Sequence, residues 1–206
     1  MGASMAITYP YDILSDFPGW STDFDLVYRQ ETSRTAIGQT FVKDFGSPLW
    51  QATYQSRSMK PNELDAWRAR LKGLEGGLKQ FFGRPTSRCY PVAYPNGTGM
   101  GNVATVKVGT IGANRNTMTM TGLPAGYVVN VGDYLQIAPN NLHQVVNVAG
   151  AEIEIRPHLW PTITTGNAVT LVKPSCLMTI VPGSISTTAE LATGRGVVTF
   201  QGFESR

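Results

Sequence analysis

The sequence predicts a mainly β protein with one amphipathic helix, and three observations carry that prediction. Charged residues make up only 15% of the 206 residues, while Gly (22) and Pro (13) are plentiful. Such a composition suits short strands joined by tight turns. Between Pro48 and Ser58 the apolar Trp50, Ala52 and Tyr54 alternate with Gln51, Thr53 and Gln55. Period two marks a strand with one buried face. The period then changes: Leu64, Trp67, Leu71, Leu74 and Leu78 are spaced 3, 4, 3, 4. That spacing forms one stripe along a helix.

The helix has further local support. Pro61 suits a first helical position, where its missing N–H costs nothing. Glu63 and Asp65 favour the positive end of the helix dipole, and Arg68, Arg70 and Lys72 lie toward the negative end. Gly76-Gly77 weakens or bends the helix, and Phe81-Phe82-Gly83 leads out of it. Upstream, Asp25–Glu31 and Arg34–Phe45 read as strands. An apolar stripe needs an apolar surface, and the preceding sheet is the nearest one.

From Asn96 onward the pattern is nearly all short strands. Asn116–Thr121, Asp133–Ile137, Leu142–Val148, Glu152–Ile155 and Ala168–Val172 are separated by turn residues such as Pro139-Asn-Asn and Thr165-Gly-Asn. This spacing predicts a small barrel. Its expected core is Leu135, Ile137, Val145, Ile153, Ile155, Val169 and Leu171. After it, Leu177–Val181, Ser184–Leu191 and Val197–Gln201 read as strands too few for a third domain. The economical topology returns them to the first sheet. The expected organisation is a discontinuous domain, 1–95 plus 175–206, with a barrel inserted at 96–174.

Candidate chemistry is sparse. The net charge is +3, with basic residues scattered, so no nucleic-acid arm stands out. Cys89 and Cys176 are too few for a disulfide framework and read as two buried thiols. Neither His143 nor His158 has a His/Cys/carboxylate cluster around it in sequence. Glu152 and Glu154 share a strand face and read as its solvated side. Gly97-Thr-Gly-Met-Gly101 lacks the Gly-Lys-Ser/Thr ending of a phosphate loop. The expectation is therefore no catalytic residue, no metal and no cofactor. Trp50 and Trp67 fall on apolar faces. Trp20 and Trp160 lie in Pro/Gly-rich loops and stand as candidate subunit or glycan contacts. No run approaches the ~20 apolar residues of a membrane-spanning helix. Met1–Pro10 has neither a basic start nor an apolar run, so no signal peptide or membrane anchor is expected.

One order of features is more specific. The strand Leu49-Trp-Gln-Ala-Thr-Tyr54 is followed by the Pro-led helix from Pro61 to Leu71, then by Gly76-Gly-Leu-Lys-Gln-Phe-Phe-Gly83. This resembles the distal tail proteins and related minor tail proteins of long-tailed, siphovirus-like phages. The inserted segments Val131–Ile137 and Gly166–Leu171 look like the small barrels such proteins carry. The resemblance implies a tail-tube-like β-sandwich or split barrel, and a structural, non-enzymatic role in the virion. It implies a ring, hexameric in the family, that joins the tail tube protein to hub or baseplate proteins and meets the tape measure. DNA would only pass through its channel, and assembly would take place in the host cytoplasm. The family's large C-terminal carbohydrate-like module has no counterpart here. The alternative is a carbohydrate-binding adhesion module that uses Trp20 or Trp160.

Overall fold

The computed structural model describes residues 7–206. Residues 1–6, including part of the segment read above for a signal peptide and the first residues of the proposed first domain, lie outside it. The chain is mainly β, about 40% strand and 8% helix. The strands are β1 (Gly19–Val27), β2 (Gln30–Arg34), β3 (Thr40–Asp44), β4 (Leu49–Ser56), β5 (Phe81–Gly83), β6 (Lys107–Ile111) and β7 (Thr117–Thr121). Then come β8 (Tyr134–Ile137), β9 (Asn141–Ala149), β10 (Glu152–Arg156), β11 (Val169–Thr170), β12 (Cys176–Ile180), β13 (Ser186–Ala189) and β14 (Gly196–Glu204). The one α-helix among the described residues, α1, spans Pro61–Lys72.

The first sheet draws on both ends of the chain. Its order is β1-β4-β14-β12-β5, and β13 pairs with β14. Cross-strand partners share a face, so the register sorts the residues. On one side Ala52 pairs with Phe24 and Gly202, and Tyr54 pairs with Phe200. On the other side Gln51 pairs with Asp25 and Phe203, Thr53 with Asp23 and Gln201, and Gln55 with Ser21 and Thr199.

Helix α1 covers the first of these faces. Glu63 accepts the Lys60 backbone N–H at 3.2 Å and closes the helix start. Leu64, Trp67 and Leu71 are buried with Trp50, Tyr54, Met178 and Phe200. Gly196 permits this approach, because a Cβ there would lie 2.8 Å from Leu64 and 2.0 Å from the Thr188 carbonyl oxygen. Phe17 packs edge-on against Trp67 and Phe200, with centroids at 5.2 and 5.6 Å.

The predicted stripe is correct in four places and wrong in one. The helix ends at Lys72, and Leu74 reaches the core from the following turn. Leu78 is 80% exposed. The turn through Glu75 and Gly76, both at positive φ, breaks the helical phase before Leu78 is reached. Phe81–Gly83 also does more than lead out, since it pairs with β12 as an edge strand.

The second sheet runs β11-β8-β9-β10-β7-β6 and curls until its ends meet. Val108 N–H donates to the Asn167 carbonyl at 2.8 Å, and Val169 N–H to the Val106 carbonyl at 2.9 Å. These bonds nearly close a barrel. All seven residues expected in its core are buried in one cluster.

Leu71→Ala is expected to lower unfolding free energy by about 2–5 kcal/mol, because it leaves a cavity under the helix. Leu78→Ser is expected to change it by less than about 0.5 kcal/mol. Urea denaturation of the two variants checks this; equal losses would mean that Leu78 is packed.

Candidate functional site

Titratable groups in the interior act in structure. Glu204 is buried; it accepts the Trp50 backbone N–H at 3.0 Å and the Arg206 guanidinium at 2.6 Å. The Tyr54 hydroxyl donates to the Arg84 carbonyl at 3.0 Å and accepts the Arg84 N–H at 3.1 Å. Burial holds the Tyr54 phenol well above its ordinary pKa. Asp133 accepts the Val92 and Asn130 N–H groups at 2.7 and 2.8 Å and so pins the barrel entry. Burial raises its pKa, and those two bonds and nearby Arg88 oppose the rise.

The two histidines separate. His158 is exposed. His143 is fully buried beside Leu135, and its Nδ1 bonds the Pro157 carbonyl at 2.8 Å. Its Nε2 has no partner among the described residues. Burial lowers its pKa to about 4. Among the described residues, no three His, Cys, Asp or Glu side chains gather as a metal site. Of the two cysteines only Cys176 is buried. Cys89 is half-buried, which corrects the expectation of two buried thiols, because it lies on the loop between the two sheets. Both are free thiols. Glu152 is exposed as expected, whereas Glu154 is half-buried and pairs with Arg156 at 2.6 Å.

The two candidate tryptophans have different surroundings. Trp160 is half-buried against the barrel core, and the Arg206 guanidinium lies 4.0 Å from its ring centroid. Arg115 fixes the same loop by donating to the carbonyls of Leu159 and Ile163 at 3.1 and 2.6 Å. Trp160 therefore covers a core and offers no open platform. Trp20 is 79% exposed. Gly19 pairs with Ser56 and Ser21 with Gln55, so Trp20 is the extra residue of a β-bulge. A bulge re-aims the side chain it carries.

Two surfaces remain without a cover. The outer face of the first sheet bears Ser21, Asp23, Asp25, Gln51, Thr53, Gln55, Thr199 and Gln201 in cross-strand rows, with the half-buried Phe203, Val197, Leu177 and Phe82 on the same side. Asp23 and Asp25 are its only charges, and no Lys or Arg interrupts the rows. The free edge of β1 borders this face.

The second surface is the hairpin β2–β3, in which every residue is exposed. Tyr28, Ile37, Phe41, Val42 and Phe45 all project from this arm into solvent, Ile37 at 88% exposure. Scattered exposed apolar residues are ordinary, but a cluster on one projecting element marks a contact surface. The sequence reading ran strands through Asp25–Glu31 and Arg34–Phe45 and so missed the arm. The available signal was Thr35-Ala-Ile-Gly38, which turns the hairpin with Gly38 at φ 84°.

A comparison with known protein families finds no family model that matches this chain, and no curated protein matches it. Among the described residues, no helix is long and apolar enough to cross a membrane.

The His143 pKa has a consequence for stability. Its folded value lies below the unfolded value near 6.5, so the unfolded chain binds more protons below that pH. The contribution is complete above pH 6.5 and is lost as pH falls toward 4. Stability is expected to drop by about 2 kcal/mol between pH 7 and pH 5 from this group. Denaturant midpoints at the two pH values, with His143→Gln as the reference, measure it; an unchanged slope in the variant contradicts the assignment.

Proposed function

We propose that this chain is a structural subunit of a phage tail tip, of the distal-tail type. Copies form a ring that connects the tail tube to the hub or baseplate and leaves a channel for DNA. The observation that carries this reading is the combination of an uncovered, mostly polar sheet face, a free strand edge and an apolar arm in one half of the molecule. A free edge exposes backbone N–H and C=O groups that a neighbouring copy can satisfy. Nothing among the described residues covers the arm, so in this reading its apolar side chains are satisfied by a neighbour. Head-to-tail contacts of this kind close into a ring when the rotation per copy divides a full turn.

The bare face suits a channel wall. Its hydroxyls and amides keep it wet, and its two carboxylates repel phosphate. DNA then passes without being held. The helix and the barrel both lie on the opposite face of the sheet, where they brace the ring from outside. The order strand, Pro-led helix, aromatic strand supports the same assignment through its resemblance to distal tail proteins. The buried titratable groups are engaged in structural bonds, which favours a non-enzymatic role.

The test is the size of the purified chain in solution, measured by light scattering across a concentration series. The wild type is expected to form a discrete closed oligomer. The triple variant Ile37→Ser, Phe41→Ser, Phe45→Ser is expected to stay monomeric with an unchanged circular dichroism spectrum. A wild type that remains a monomer at high concentration contradicts the proposal.

A further inference from the structure

Beside the first sheet, at its junction with the barrel, lies a cleft of about 360 Å³. Trp20, Thr22, Arg84, Thr86, Ser87 and Lys173 are among its walls. A second hollow of about 500 Å³ shares Thr86, Ser87, Cys89 and Lys173 with it and adds Arg88. Through these shared residues the two hollows adjoin as one groove. Three cations line it, and no carboxylate does.

Arg84 is the notable member. Its side chain is only 7% exposed, and its single ion pair among the described residues is with Asp12 at 2.8 Å. A guanidinium carries five N–H donors in a fixed fork. No buried nitrogen of Arg84 is left without a partner among the described residues, and Asp12 holds the guanidinium at the groove wall. Lys173 stands at the rim, exposed and in no ion pair among the described residues, on a backbone at φ 48°. The bulge at Trp20 turns a large flat ring out to solvent at the same rim.

We infer that this groove binds an acidic oligosaccharide, a short run of sugars bearing carboxylate or phosphate. Trp20 supplies an apolar face against which a sugar ring stacks. The hydroxyls of Ser21, Thr22, Thr86 and Ser87 match sugar hydroxyls. Arg84 and Lys173 meet the acid group, Arg84 with paired donors that suit a planar carboxylate or a phosphate. A single-stranded nucleic acid fits less well, because such strands are held by a longer basic track and successive stacked bases. The site lies off the arm, but it shares Ser21 with the bare sheet face and Trp20 and Thr22 with the start of β1, so the oligomer size of the Trp20 variant tells saccharide binding apart from edge pairing.

The test uses the full chain, titrated by calorimetry with uronate-bearing and phosphate-bearing tetrasaccharides. Maltotetraose serves as the uncharged match, and an oligothymidylate as the nucleic-acid arm. At least one acidic tetrasaccharide is expected to bind, at least about tenfold tighter than maltotetraose. Which of the two binds distinguishes a carboxylate source from a phosphate source. Trp20→Ala and Lys173→Ala, both exposed positions, are each expected to weaken binding about tenfold with unchanged circular dichroism and unchanged oligomer size. Three results would overturn the inference: no acidic saccharide bound at millimolar concentration, undiminished binding by Trp20→Ala, or an oligothymidylate bound as tightly. Loss of the oligomer in Trp20→Ala would also overturn it, because Trp20 would then be a subunit contact. A ring that fails to form while saccharide binding survives would count against the ring alone.

Discussion

Trp50 fixes the arrangement of the molecule. Its backbone N–H is held by the buried Glu204 carboxylate, and its indole N–H donates to the Leu142 carbonyl of the barrel at 2.9 Å. Its ring stacks on Phe24 at 5.1 Å and meets Tyr134 of the barrel at 5.7 Å. One side chain in the second strand of the first sheet therefore ties the barrel to that sheet. It also decides the side: whatever packs on Trp50 packs on the face of Ala52 and Tyr54. The helix, the barrel and the Phe17 loop all gather there, and Gln51, Thr53 and Gln55 are left on a face with no cover.

Strand alternation thus decides which face of the first sheet stays uncovered. Had both faces of β4 been apolar, a second layer would have been required to bury the outer one. With Gln and Thr on that side, the sheet stands half-solvated as a single wall. A cluster of exposed apolar residues stands on the β2–β3 arm, which rises between the strands β1 and β4.

Much of the architecture was legible because burial imposes a period. Trp50, Ala52 and Tyr54 show period two, Leu64, Trp67 and Leu71 show the helical period, and the seven barrel residues show short alternations. Where no core imposes a period, the reading failed. The apolar residues of the arm, Ile37, Phe41, Val42 and Phe45, face no interior of their own chain, so their spacing follows no rule of the fold. Leu78 kept the helical spacing by coincidence, past a turn that had already left the helix. Of the groove, only Trp20 stood out in the sequence, as a candidate subunit or glycan contact. Trp20, Arg84 and Lys173 are distant in sequence and are brought together only by the sheet junction, and the bulge that exposes Trp20 is a matter of register.

Electron micrographs of the purified chain at high concentration bear most directly on the central claim, that the bare face of the first sheet lines an opening enclosed by copies of the chain. The account predicts closed rings with a central channel, the β1–β4–β14 sheet on the inner wall and the barrel on the rim. Particles without a channel, or rings with the barrel innermost, would contradict it.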